Sequence, residues 1–161
     1  MATPALASRV RLDVGTSADL DDVVSIMEEA FGSRYGEAWT RSQCAGILPM
    51  TGVALTIARD SRSDEAIGFS LSRSVAEETE LLLLAVAPKR HRQGIGTRLL
   101  DDFMDRARAQ KANRAHLEVR DGNPAVGMYQ TAGFAQVGRR RNYYQAADGR
   151  RYDALTLARP L

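Results

Sequence analysis

"VAPKRHRQGIGTRLL", residues 86–100, leaves an apolar strand, crosses a basic loop and enters a helix through two closely spaced glycines. At a helix start, unpaired backbone N–H groups and the positive end of the dipole favour an anion. Gly94 and Gly96 would let a bulky phosphate approach the backbone, with Lys89, Arg90 and Arg92 adding positive charge. By itself, a G-x-G pair is more often an ordinary strand-to-helix turn with a solvated basic face. Its spacing excludes two phosphate folds. A Rossmann turn needs a third glycine where this chain has Leu99, and it puts the first glycine directly at the strand end, whereas about seven residues separate Val86 from Gly94. The triphosphate loop G-x-x-x-x-G-K-[S/T] does not occur.

The segments around the loop place it in an α/β domain. Upstream, "TELLLLAVA" (residues 79–87) is a nearly continuous apolar run, as expected of a central strand covered on both faces. Before it, "RVRLDV" alternates as a strand, and Leu20, Val23, Val24, Met27 and Phe31 recur at helical spacing after a cap at Thr16 or Ser17. Thr40 caps a shorter helix that carries Cys44, Ile47 and Leu48 and stops near Pro49. "GVALTIA" and "AIGFSLSRSVA" flank a polar turn as two strands. Downstream, Ile95, Leu99, Leu100, Phe103, Met104 and Ala107 form one helical stripe, and "RAHLEVR" (Arg114–Arg120) is a short strand. Asn123 as N-cap, Pro124 at the first position and Gly133 past the end outline a compact helix. "FAQVGRRRNYY" and "RYDALTLA" close the chain as a hairpin around "QAADGR". The expected order is β-α-α-β-β-β-α-β-α-β-β, with a mixed sheet because hairpins and crossover helices both occur.

With 161 residues the chain fits one domain with its own core; residues 1–7 are expected as a loose tail and 8–161 as the domain. The net charge of +2 is too small to point to nucleic acid, and no run is long enough for a membrane span. "MATPALASRV" has no basic start followed by an apolar stretch, so no secretion signal is expected. The single cysteine, Cys44, excludes a disulfide framework and makes a reducing cytoplasm the default. No metal is expected. Arg139, Arg140 and Arg141 with Tyr143 and Tyr144 could bind nucleic acid, but on a short hairpin of a nearly neutral chain they read as a charged edge strand.

Two positions could carry chemistry. Alternation along Arg114–Arg120 puts His116, Glu118 and Arg120 on one face, where Glu118 by itself is far more often a solvated carboxylate paired with Arg120 than a general base. Tyr129 shares a helix face with Val126 and Ala132 and could simply be a core residue.

Val86-Ala87-Pro88 followed by Gln93-Gly94-Ile95-Gly96 resembles the first motif of the GNAT acetyltransferases, which holds the pyrophosphate of coenzyme A. One departure is His91, three residues before Gly94, where that family has Gln or Arg. The resemblance is strongest over residues 78–158. There "LEVR", a tyrosine four residues before "GF", and "RRNYY…DG…DA" are similar to the RimI-type protein N-terminal acetyltransferases, which act on the alanine terminus of a small-subunit ribosomal protein. "FGSRYGEAWT" (residues 31–40) is longer than the corresponding family segment, in a region that shapes the acceptor slot.

The resemblance implies a single-domain GNAT fold and direct attack of an amine on acetyl-CoA in a ternary complex, with no metal. It gives Glu118 the role of base and Tyr129 that of acid toward the departing thiolate. Leu84, Ala85 and Val86 would contact the pantetheine arm, and Arg92, Gln93, Gly94, Ile95, Gly96 and Thr97 the phosphates. Asn123 would also touch coenzyme A, although it lies six residues before Tyr129 where the family has seven, a difference of roughly 100° on a helix. Tyr143 and Tyr144 would wall the acceptor slot. From their position before the central strand, Glu77, Glu78 and Glu80 read equally as a solvated turn or as a group that attracts a cationic terminus. The implied acceptor is a protein N-terminus, a ribosomal protein's among them, with a small amine or lysine as the enzymatic alternative. A non-catalytic acyl-CoA-binding or ribosome-associated module is the alternative of another class. A monomer or weak dimer is expected.

Overall fold

The leucines of residues 81–84 lie in β4 (Glu78–Val86), fourth in a seven-stranded sheet of order β1-β2-β3-β4-β5-β7-β6. The structure is a computed structural model and describes residues 9–161, so the expected tail lies outside the described residues. The other strands are β1 (Val10–Val14), β2 (Val53–Asp60), β3 (Ala66–Val75), β5 (Arg114–Arg120), β6 (Ala135–Gln145) and β7 (Arg151–Pro160). Four helices accompany them: α1 (Leu20–Phe31), α2 (Arg41–Ile47), α3 (Ile95–Ala109) and α4 (Val126–Thr131). Element order and mixed sheet are as the sequence predicts. Every strand pair is antiparallel except β4–β5, which needs a crossover that α3 supplies.

Both faces of β4 are covered. Val23, Ile26 and Met27 of α1 pack with Leu55, Phe69, Leu71 and Leu83 on one side. Leu100, Phe103 and Met104 of α3 pack with Leu81, Leu117 and Leu157 on the other. Leu81 and Leu83 are two apart yet face opposite layers, because β4 carries a bulge: Leu71 pairs with Leu83 and Ser72 with Leu81, leaving Leu82 unmatched. One extra residue reverses the side-chain alternation and bends the strand. The β4–β5 ladder ends at the same place, its last pair being Leu81 with Leu117. Beyond it, the strands diverge and open a cleft.

Two helix starts fall later than expected. Thr16 caps a 3-10 turn over Ser17–Asp19, its Oγ1 accepting from Ala18 N–H at 3.2 Å, and α1 begins only at Leu20. Pro124 and Ala125 form a turn ahead of α4; Asn123 caps that turn, its Oδ1 accepting from Ala125 N–H at 2.8 Å. Thr40 caps α2 as expected, through a capping box with Gln43. Among the described residues, no helix is long and apolar enough to cross a membrane.

Candidate active site

One cavity of about 870 Å³ follows the divergence of β4 and β5. At its β4 end, Ala87 leads into a 3-10 turn over Pro88–Arg90, and the chain then reaches Gly94, which caps α3 with φ +77°. That left-handed geometry costs glycine little. As Gly94 has no side chain to cap α3, the first N–H groups of the helix stay open toward the cavity. A Cβ on Gly96 would lie 3.2 Å from Met128 Sδ, so bare backbone keeps this corner of the cavity open. Arg92 also adopts positive φ, +60°, an uncommon conformation for a side-chain-bearing residue.

All but one of the expected cofactor residues line the cavity. Leu84, Ala85, Val86 and Arg92 line the cavity, as do Gly94, Ile95, Gly96, Thr97 and Asn123. Gln93 does not, because its Oε1 accepts from Arg90 Nε at 3.0 Å. Arg90 in turn donates to Asp60 at 2.9 Å, which anchors the loop to the end of β2. Two backbone N–H groups, of Arg62 and Ser63, join Arg90 in holding the Asp60 carboxyl well below its ordinary range, at about 2. The ring Nε2–H of His91 donates to the Val86 carbonyl at 2.8 Å, which assigns the proton to that nitrogen. His91 thus ties the loop to the end of β4.

At the β5 end, Glu118 is mostly buried, with about 10% of its side chain exposed. Thr156, its neighbour across the ladder on β7, donates to Oε2 at 2.7 Å, and Arg140 Nε lies 3.0 Å from Oε1. These two donors fix the orientation of the carboxylate. Arg120, expected beside Glu118, instead pairs with Glu37, while the Glu118 carboxylate is taken by Thr156 and Arg140.

Tyr129 on α4 is buried, edge-on to Phe134 at 6.1 Å between ring centroids, and it lines the cavity. Burial, and then the negative charge of Glu37, push its phenol far above the ordinary tyrosine range. It therefore stays protonated at any physiological pH, as a proton donor must. Tyr144 is shifted upward chiefly by burial and donates a long bond, 3.4 Å, to the Glu118 carbonyl. Tyr143, edge-on to Tyr144 at 4.9 Å, is half exposed at the rim.

Glu78 and Glu80 lie within β4 rather than before it, and of the three acidic residues only Glu80 reaches the cavity; Glu77 accepts from Asn113 and Glu78 pairs with Arg114 at the far end of the strand. Arg139 is committed to Asp121 and Asp153, so the arginine run is not a free basic patch. The group that sequence reasoning missed is Glu37 with Arg120 and Tyr35. Arg120 Nε lies 3.2 Å from Glu37 Oε1, an ion-pair contact out of line for a hydrogen bond, and the guanidinium stacks 3.6 Å from the centre of the Tyr35 ring. Its one signal in the sequence is the extended segment of residues 31–40, which contains Tyr35 and Glu37.

Known proteins share this fold and much of this sequence. Residues 20–134 match the family model described as the acetyltransferase (GNAT) family. The [ribosomal protein bS18]-alanine N-acetyltransferase of Escherichia coli K12 is 30% identical over 135 residues, covering 83% of this chain and 80% of the relative. The N-alpha-acetyltransferase RimI of Mycobacterium tuberculosis is 38% identical over 90 residues, 55% of this chain and 53% of that protein. The crystal structure of the ribosomal-protein-S18-alanine N-acetyltransferase from Escherichia coli superposes with a TM-score of 0.83 at 27% identity, covering 94% of this chain and 93% of that one. A glycine turn at a helix start, a split between two parallel strands and a family match over most of its length lead to one assignment: the chain belongs to the GNAT acetyltransferase family and is an acyltransferase.

Proposed function

We propose that the protein transfers the acetyl group of acetyl-CoA to the N-terminal α-amine of a protein, by direct attack in a ternary complex, with a ribosomal-protein terminus among its acceptors. One observation carries this reading: a single cavity runs from the anion-suited turn at Gly94 to the oriented Glu118 carboxylate and the protonated Tyr129 phenol. The names of the relatives support a protein terminus as acceptor, and a ribosomal-protein acceptor would place the reaction in the cytoplasm.

The residues present fit the cosubstrate. Beyond Leu81, β4 has no β5 partner, so residues 82–86 offer backbone groups to the amides of a pantetheine arm. The open N–H groups at the start of α3, with Arg92 beside them, suit a pyrophosphate. Acetyl-CoA supplies the thioester that the amine attacks. A protein α-amine has a pKa of about 7.7–8.0 and is largely protonated at neutral pH, so a base is useful. Glu118 takes that proton, directly or through a water. Tyr129 gives its proton to the sulfur as the bond to the acetyl carbon breaks.

Tyr129→Phe is expected to lower kcat by about 10²-fold with little change in acetyl-CoA affinity, read by steady-state kinetics and calorimetry. His91→Gln leaves acetyl-CoA affinity equal or improved, since a glutamine amide can also donate to the Val86 carbonyl; a loss beyond about tenfold would give the histidine a role of its own. The acceptor is tested with peptides differing only in their first residues, beside free lysine and small amines. Faster transfer to peptide termini supports the proposal, and preference for lysine side chains or small amines overturns it. Binding of acetyl-CoA with transfer to no acceptor would indicate a non-catalytic module.

A further inference from the structure

Glu37 belongs to the loop between α1 and α2, and both of its carboxylate oxygens are spent on one short piece of chain. Oε1 faces Arg120 Nε at 3.2 Å, and Oε2 accepts from Asn123 Nδ2 at 2.8 Å. Arg120 ends β5, and Asn123 caps the turn that leads into α4. The loop carrying Glu37 is itself held from several sides. Tyr35 lies under the Arg120 guanidinium and meets Tyr152 edge-on at 5.1 Å. Gly36, with φ +74°, sits so close to β6 that a Cβ would be 2.0 Å from the Gln145 carbonyl oxygen. Ala147 N–H donates to the Ser33 carbonyl at 3.3 Å. A carboxylate so placed has lost its water and depends on its partners. With both oxygens engaged, it is poorly placed to act as a second base.

Asn123 shows what this contact controls. Its Oδ1 accepts from Ala125 N–H while its Nδ2 donates to Glu37, so both ends of the amide are fixed and its orientation is unambiguous. Pro124 and Ala125 are outside α4, and this turn sets the angle at which the six-residue helix starts. Tyr129 lies one turn further on.

We propose that Glu37 is a positioning residue for acetyl transfer: by gripping Arg120 and Asn123 it sets the β5–α4 turn, and so the direction in which α4 presents Tyr129 to the cavity. This rests on the acetyl-transfer reading above. Glu37 also acts on Tyr129 through its charge, which gives the proposal a second readout.

The experiment compares full-length wild type, Glu37→Gln, Asn123→Ala and the double variant. Glu37→Gln should lower kcat by about ten- to a hundredfold, the cost of a misplaced reacting group, while the KM for acetyl-CoA stays within about twofold. The double variant should be no slower than the slower single one, because both substitutions break one link. An unchanged kcat, or losses that multiply, overturns the proposal. A polyfluorinated tyrosine at position 129 adds a measurement that needs no acceptor. Its fluorine resonance should titrate at lower pH in Glu37→Gln, because the negative charge that raises the phenol is gone, and near the wild-type midpoint in Glu37→Asp. A midpoint unmoved by Glu37→Gln overturns the proposal. If wild type acetylates no amine, the acetyl-transfer reading fails, and the fluorine titration still decides whether Glu37 acts on Tyr129.

Discussion

Glu118→Gln is expected to lower kcat/KM for acetyl transfer by about 10²–10⁴-fold near neutral pH. Glutamine keeps the volume and can still accept from Thr156 Oγ1, so the fold around β5 and β7 is preserved. What disappears is the anion that Arg140 and Thr156 orient toward the cavity. The sign of the pH dependence follows from the acceptor. Below a pKa of about 8 most α-amine is protonated, and the enzyme must remove the proton; above it, the amine arrives already deprotonated. The deficit of the variant should therefore be largest at pH 6–7 and shrink as pH rises through about 8. A pH profile of kcat/KM for both proteins checks this. Full turnover by Glu118→Gln would remove Glu118 from the chemistry, and a deficit constant with pH would leave it an orienting role only.

Arg120→Met is expected to cost about 3–5 kcal/mol of folding stability, because it strands the Glu37 carboxylate away from water. Both side chains are nearly inaccessible, 9% and 10% exposed, and the guanidinium also forfeits its stacking on Tyr35. For a domain of this size each kcal/mol moves Tm by roughly 2–4 °C, so the melting point falls by about 6–20 °C. The double variant Arg120→Met with Glu37→Gln should recover much of the loss, since replacing both members of a buried pair is far less damaging than removing one. Urea denaturation of the three proteins decides it: equal stability of Arg120→Met and wild type, or no recovery in the double variant, contradicts a buried pair.

Element order could be read from the chain because its signals are local. The apolar stripe of α3 repeats every three or four residues, Thr40 and Gln43 lie within one helical turn, and the turn at Gly94 adjoins the strand and helix that define it. The anion-suited end of the cavity comes from one contiguous stretch and was legible for the same reason. Two local boundaries were not, α1 and α4, because Thr16 and Asn123 cap turns rather than the helices that follow.

What the sequence by itself determined is the succession of strands and helices, the glycine turn and the family pattern, all properties of residues near one another along the chain. The tertiary structure alone decided two things. The bulge at Leu82 is invisible in a run of four leucines, since identical side chains carry no alternation to break; only pairing with β3 shows that one residue is unmatched, and that irregularity is where β4 and β5 part. The partner of Arg120 could not be read from "LEVR" either. Glu37 lies more than eighty positions earlier, and it reaches Arg120 and Asn123 only because the α1–α2 loop folds across the end of β5.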